Sequence, residues 1–259
     1  MEIVQRNEAF KKIDGKMQYA YVQIFARQNG LLYTGKWTNR YEPPKTLDDL
    51  DELKHIPTED RGPEVKPTWS AAAVYVKTPS LLAYVMGDLE KQIAREVEAC
   101  EVLRKHPHPN IATYYGYMET RGRVSGLCFK RYTSSLLEAV NPQRLNKVAF
   151  LSSGRARVED YMKSGLDGLL SAIKHLHSLG LVHNDINPAN VMIDEEGKLI
   201  LIDFDSCRYI GESLKLSEAK RTHQWHDPSV DVALEKNDLD AFRDLQLWLA
   251  GSVDQEFLF

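Results

Sequence analysis

The chain is short of cysteine, of long apolar runs, of basic charge and of repeats, and each shortage closes off a class of protein. Only three cysteines occur, Cys100, Cys128 and Cys207, all in apolar contexts. An odd count with no metal-ligand spacing argues against a disulfide framework or a thiolate zinc site, and in favour of a reducing compartment. No apolar run approaches the roughly 20 residues that cross a bilayer. The opening stretch MEIVQRNEAFKK lacks the apolar core of a signal peptide. Lysine plus arginine number 33 against 37 aspartate plus glutamate, a net charge of −4, so nothing points to general nucleic-acid or lipid binding. The expectation is a soluble intracellular, cytoplasmic protein with no nucleic-acid or membrane partner. No pattern sets an oligomeric state.

What is present has periodic structure. Residues 17–37, MQYAYVQIFARQNGLLYTGKW, alternate in type and break at Asn29-Gly30, the strongest short signal of a tight hairpin. Residues 38–67 are polar and read as a loop, with at most a short helix near LDDLDEL. WSAAAVYVK (69–77) and GLCFKRY (126–132) predict buried strands, and residues 87–105 predict a helix. Met162, Leu166, Leu169, Ile173 and Leu176 recur at steps of four and three, which predicts an amphipathic helix over about 158–178 that ends at Gly180. NVMID and LILIDFD flank EEGK as a second hairpin, and NDLDAFRDLQLWLAG predicts a last helix. Strands dominate the first half and helices the second, so the class is α+β.

Between the long helix and the second hairpin lies HNDINPAN (183–190). Taken alone it is a turn rich in Asn, Asp and Pro. Its surroundings suggest more. HLHSLGLVHNDINPANVMID resembles the protein-kinase catalytic loop, His-Arg-Asp-x-x-x-x-Asn, and LIDFDS resembles the metal-binding Asp-Phe-Gly segment. VYVK resembles the strand that carries the ATP-binding lysine. HPHPNI (106–111) resembles the connection after the regulatory helix. THQWHDP (222–228) resembles the end of an activation segment, and NDLDAF (237–242) the start of its anchoring helix. Each motif is weak by itself; six in order, over about residues 69–249, are specific.

The resemblance implies a two-lobed kinase fold, with an N-lobe over residues 1–131 and a C-lobe over 132–259 truncated after the anchoring helix. It implies ATP and Mg²⁺ as cofactors and a protein or a small hydroxyl-bearing molecule as acceptor. Phosphoryl transfer puts heavy negative charge on the phosphates and needs a positioned hydroxyl. On that reading Asp185 is the catalytic base, Asp203 a magnesium ligand, Asn190 a second metal ligand, and His183 a brace for the loop. Asp203 follows the apolar run LILI, where an unpaired charge is costly, so a metal suits it better than a plain turn. Lys77, by itself an ordinary strand-end charge, becomes the phosphate-binding lysine and requires a carboxylate partner.

Helical geometry chooses that partner. At about 100° per residue, with Ile93 at 0°, the stripe of Val97, Cys100 and Leu103 also holds Glu96 at about 300°, whereas Glu98 faces away at about 140°. Glu96 is therefore the expected partner. The resemblance implies that Phe129 sits at the gate to the back pocket and that Lys130, Arg131 and Tyr132 form the hinge against which adenine lies.

The departures are specific. No G-x-G-x-x-G precedes Lys77; the spacing puts its place near TEDRGPEV (58–65), with the Asn29-Gly30 hairpin an alternative cover. Asn184 stands for the loop arginine, Asn187 for the lysine after the aspartate, DFD for DFG, and DPS for APE. Three functions follow, in this order: a serine/threonine protein kinase, a small-molecule phosphotransferase of the choline- or aminoglycoside-kinase type, and a catalytically dead scaffold. Against the last, all five of Lys77, Glu96, Asp185, Asn190 and Asp203 are present.

Overall fold

The structure is a computed structural model that describes residues 1–13, 16–57, 75–79, 89–120, 122–215 and 219–259. The chain separates into two compact units. One comprises Met1–Val65, Thr78–Lys91 and Glu119–Ser125; the other comprises Lys66–Lys77, Gln92–Met118 and Gly126–Phe259.

In the first unit β1 (Glu2–Ile13), β2 (Lys16–Gln28), β3 (Leu31–Trp37) and β4 (Asp51–Ile56) form an antiparallel sheet in that order. The β2–β3 hairpin closes at Asn29-Gly30 as its dipeptide predicts. Gln28 pairs with Leu31, and both turn residues have positive φ, 53° and 79°. Asn and Gly adopt that conformation at little cost, and its twist matches the strands. Strand β2 is covered on both faces: Val22, Ile24 and Ala26 cluster with Leu47 and Leu50, and Phe25 clusters with Leu32 and Ile56.

Of the stretch 38–67, the described residues 38–57 are only partly loop, and 58–67 lie outside the described residues. Leu47–Asp49 forms one 3-10 turn, entered through Asp49 Oδ2, which accepts from the Lys45 and Thr46 amides at 2.9 and 2.8 Å. Asp51–Ile56 then forms β4 rather than loop. Only Ile56 in it is buried, so the strand has no apolar alternation to read. A charged edge strand of this kind resists pairing with other chains. Strand β1 went unread for the same reason: none of its residues through Phe10 is buried.

A further sheet, of order β5-β7-β6, is formed by β5 (Tyr75–Lys77), β6 (Tyr114–Thr120) and β7 (Arg123–Phe129). Residues 69–74 of the predicted strand, 87–88 of the predicted helix, and the stretch 58–65 lie outside the described residues. Helix α1 (Leu89–Lys105) buries Val97, Cys100, Leu103 and Glu96 and exposes Glu98, as the wheel predicts. GLCFKRY divides: β7 stops at Phe129, and Lys130–Tyr132 leave the sheet.

Next come β8 (Ser134–Ser135), α2 (Leu136–Val140), α3 (Lys147–Ser152), α4 (Asp160–Ser164) and α5 (Leu166–Ser178). The predicted 158–178 helix is thus α4 and α5, starting two residues late. Its hydrogen bonds run through the joint, from Gly165 N to Tyr161 O and from Leu169 N to Gly165 O. Leu169, Ile173 and Leu176 are fully buried, each worth roughly 1.5–3 kcal/mol of burial. Gly180, with φ of 77°, ends the helix as predicted.

The remaining elements are β9 (Leu181–Val182), β10 (Val191–Ile193), β11 (Leu199–Leu201), β12 (Arg208–Tyr209) and α6 (Glu235–Ala250). β10 and β11 are the second hairpin, β8 pairs onto β10, and β12 pairs with β9. Gly165 lets α4–α5 approach β11, because a Cβ there would meet Leu199 Cγ at 2.9 Å.

Candidate active site

Lys77 ends β5 opposite Leu127 of β7. Its Nζ donates to Glu96 Oε1 on α1 and to Asp203 Oδ1, both at 2.6 Å. Burial alone would lower the Lys77 pKa, but the charges of Glu96 and then Asp203 outweigh it and hold the pKa above its ordinary value. Burial pushes the Asp203 carboxyl up; the Lys77 ammonium overcomes this and holds it below the usual range. Asp205, pressed by burial and by the Asp203 charge, is raised. One cation therefore fixes two carboxylates drawn from distant parts of the chain.

The loop 183–190 hangs from Asp238, at the first turn of α6 and fully buried. Its Oδ2 accepts from the His183 amide at 2.8 Å and from His177 Nε2 at 2.9 Å, and its Oδ1 accepts from the Asn184 amide at 2.7 Å. A buried carboxylate is tolerated when donors satisfy it in this way. His183 braces the loop: its Nε2 donates to Ile202 O at 2.9 Å, and its Nδ1 accepts from the Asp185 amide at 3.3 Å. Asn184 and Asp203 have φ of 64° and 67°. Left-handed backbone at non-glycine residues costs about 1–3 kcal/mol each and persists only where neighbours impose it.

Both carboxylate oxygens of Asp185 are held. Oδ2 accepts from Asn190 Nδ2, and Oδ1 accepts from the Thr222 amide, each at 2.8 Å. Asn187 Nδ2 donates to Thr222 Oγ1 and to Asp185 O, both at 3.1 Å. The 203–228 segment is thereby stitched to the loop. Asn190 Oδ1 has no hydrogen-bond donor among the described residues, although the residue is buried. A spare amide oxygen on Asn190 and a carboxylate on Asp203 are hard donors of the kind magnesium takes.

A cavity of about 500 Å³ opens beside Lys77 and Asp203. Phe129, Lys130, Arg131 and Tyr132 all line it, as does Tyr75. The connector is fixed: the Lys130 amide donates to Thr113 O at 2.9 Å, and Tyr132 Oη accepts from the Thr113 amide at 3.0 Å. The Arg131 guanidinium lies over the Tyr75 ring at 5.5 Å. Glu96, Asp185 and Asn190 stand outside the cavity wall.

The family model described as "Protein kinase domain" matches residues 70–252. The chain belongs to the protein kinase family. Its β-rich first part and helical second part are the family's α+β make-up. Among similar proteins, CBL-interacting serine/threonine-protein kinase 15 of Arabidopsis thaliana is 33% identical over 196 residues, 70% of this chain and 41% of that one. MAP kinase kinase kinase wis4 of Schizosaccharomyces pombe is 26% identical over 168 residues, covering 61% of this chain and 11% of the relative. A probable serine/threonine-protein kinase, kinX of Dictyostelium discoideum, is 26% identical over 212 residues, covering 80% and 18%. The chain thus matches well under two thirds of the length of each of these kinases.

Three residues of this site have contacts that the sequence motifs do not reveal. Thr222 reaches Asp185 through its backbone amide, which no side-chain pattern reveals. Tyr75 sits two residues before Lys77 and so shares its strand face; that spacing was a usable signal. Asp238 is the second residue of NDLDAF, a motif that resembles the start of the anchoring helix without marking this aspartate.

Proposed function

We propose that the chain is an ATP- and magnesium-dependent serine/threonine protein kinase that transfers the γ-phosphate to a hydroxyl. The observation that carries this is Lys77 held between Glu96 and Asp203 at 2.6 Å each, next to a cavity large enough for a nucleotide. Lys77 binds the phosphates, Glu96 orients Lys77, and the connector from Phe129 to Tyr132 faces the adenine. Asp185 orients the acceptor hydroxyl and takes its proton as the new oxygen–phosphorus bond forms and the bond to the β,γ-bridging oxygen breaks, releasing ADP. Asp203 and Asn190 would hold Mg²⁺, which supplies charge neutralisation at the phosphates when bound.

Residues 1–131 serve as the N-lobe and 132–259 as the C-lobe. A cytoplasmic setting is supported by Cys100, Cys128 and Cys207, all of them buried thiols. No helix among the described residues is long and apolar enough to cross a membrane. The serine/threonine kinases among the relatives support a protein acceptor.

The test is incubation with γ-labelled ATP alone, then with a protein mixture, then with a small-metabolite mixture. Phosphoserine or phosphothreonine in the protein arm is the expected result. Label confined to metabolites would turn the reading to a small-molecule phosphotransferase, and label nowhere would leave a scaffold.

A further inference from the structure

Lys147, the first residue of α3, is a buried lysine that the proposed chemistry does not use; its side chain is 4% exposed. Its Nζ donates to Asp244 Oδ2 on α6 at 2.6 Å, to Gln224 O at 2.8 Å and to Phe259 O at 3.4 Å. It lies over the rings of Trp225 and Phe257, at 4.3 and 4.5 Å from their centroids. Asp244 is itself shared: Oδ1 accepts from the Leu258 amide at 2.8 Å and Oδ2 from the Phe259 amide at 3.2 Å. One ammonium thus gathers a helix start, the end of the 203–228 segment, the middle of α6 and the stretch 257–259.

A buried ion pair is weak evidence for stability, because desolvation offsets the attraction. What this pair achieves is geometric. Gln224 has φ of 66°, a backbone state that a glutamine keeps only when held, and Lys147 grips its carbonyl. Gln224 belongs to a turn in which the Trp225 amide donates to Thr222 O at 3.0 Å. The Thr222 amide is the donor to Asp185 Oδ1. The chain of contacts runs from 257–259 through Asp244 and Lys147 to Gln224, Thr222 and Asp185. Behind it Trp225 packs edge-on to Trp248, which stacks on Phe150, so the hub has a rigid floor.

We propose that Lys147 is a positioning residue for Asp185, and that Phe257–Phe259 is a strap that keeps Lys147 in place. This rests on the reading of Asp185 as the catalytic base. Aromatic faces and a shared carboxylate confine the ammonium more tightly than one ion pair does. Releasing the strap frees the turn 222–225, and Asp185 loses one of its two fixed donors while the Lys77–Asp203 end is untouched.

The experiment uses the full chain with Phe257→Ala, which opens the aromatic cage, Leu258→Pro, which removes a donor to Asp244, and Lys147→Met. Lys163→Ala, an exposed lysine elsewhere, is the control. Amide hydrogen exchange at residues 222–225 and steady-state kinetics are read at a temperature where each variant is folded. Exchange at Thr222 and Trp225 is expected to rise in Phe257→Ala and Leu258→Pro. For both, kcat should fall about 10- to 100-fold with KM for ATP within about twofold, the pattern of a displaced base rather than a lost nucleotide site. Phe257→Ala leaves the ion pair in place and carries the test if Lys147→Met does not fold. Unchanged exchange at Thr222 in both strap variants, or raised exchange with kcat unchanged, would overturn the proposal. If the wild-type chain transfers no phosphate, the base reading fails, and the exchange data still decide whether the strap holds the turn.

Discussion

On the proposed reading Lys77 and the two aspartates, Asp185 and Asp203, divide the work between binding and chemistry, and substitutions should separate the two. Asp203→Asn weakens the Lys77 bridge; if Asp203 holds the metal as proposed, metal-dependent nucleotide binding should disappear, as read by titration with ATP in the presence and absence of Mg²⁺. Asp185→Ala should leave that binding intact and lower turnover by two or more orders of magnitude, in line with the loss of a positioned base. Lys77→Met and Glu96→Ala should each cripple turnover, whereas Glu98→Ala, on the exposed face of α1, should stay within about twofold of wild type. Equal losses at Glu96 and Glu98 would contradict the ion pair's role.

Two elements carry predictions of their own. Gly165→Ala would ordinarily favour a helix by about 1 kcal/mol, but here the added Cβ meets Leu199 Cγ at 2.9 Å and Tyr161 O at 3.2 Å. Overpacking of that kind costs about 1–3 kcal/mol, so the variant should unfold at lower urea, and an unchanged or higher midpoint would show that β11 yields. The described residues of the segment, 203–215 and 219–228, are tied to their surroundings without any phosphate. Asn184 Nδ2 donates to Ser206 O at 3.2 Å, and Asn184 Oδ1 accepts from Asn237 Nδ2 at 3.2 Å. The Ser206 hydroxyl donates to Lys220 O, and Thr222 Oγ1 is held by Asn187. An asparagine cannot neutralise the charge of about −1.5 to −2 that a phosphate brings. Protein made in bacteria and treated with phosphatase should therefore match untreated protein from its native host in activity. A large drop on treatment, restored by rephosphorylation at Ser206, Ser213, Ser217 or Thr222, would contradict this; Ser217 lies outside the described residues.

At the scale of the whole molecule, what was legible in the sequence is what is local. Asn29-Gly30, the 4-3-4-3 stripe of α4–α5 and the Glu96 face of α1 each act within a few residues, and each formed as read. Strands β1 and β4 were invisible because exposed polar edges give no apolar alternation. The hairpin partner β6 and the two-residue strands β8, β9 and β12 are too short or too dependent on neighbours to announce themselves. In the site, side-chain motifs could be read, but the Thr222–Asp185 contact spans 37 residues and uses a backbone amide, and the Lys147 hub joins positions up to 112 residues apart. A thermal-shift titration of wild type, Asp185→Ala and Asp203→Asn with ATP and Mg²⁺, paired with label transfer, decides whether this arrangement binds ATP with magnesium and transfers the γ-phosphate. ATP with Mg²⁺ should stabilise wild type and Asp185→Ala but not Asp203→Asn, and wild type alone should transfer label. A wild-type chain that shows no shift at millimolar ATP would contradict this reading.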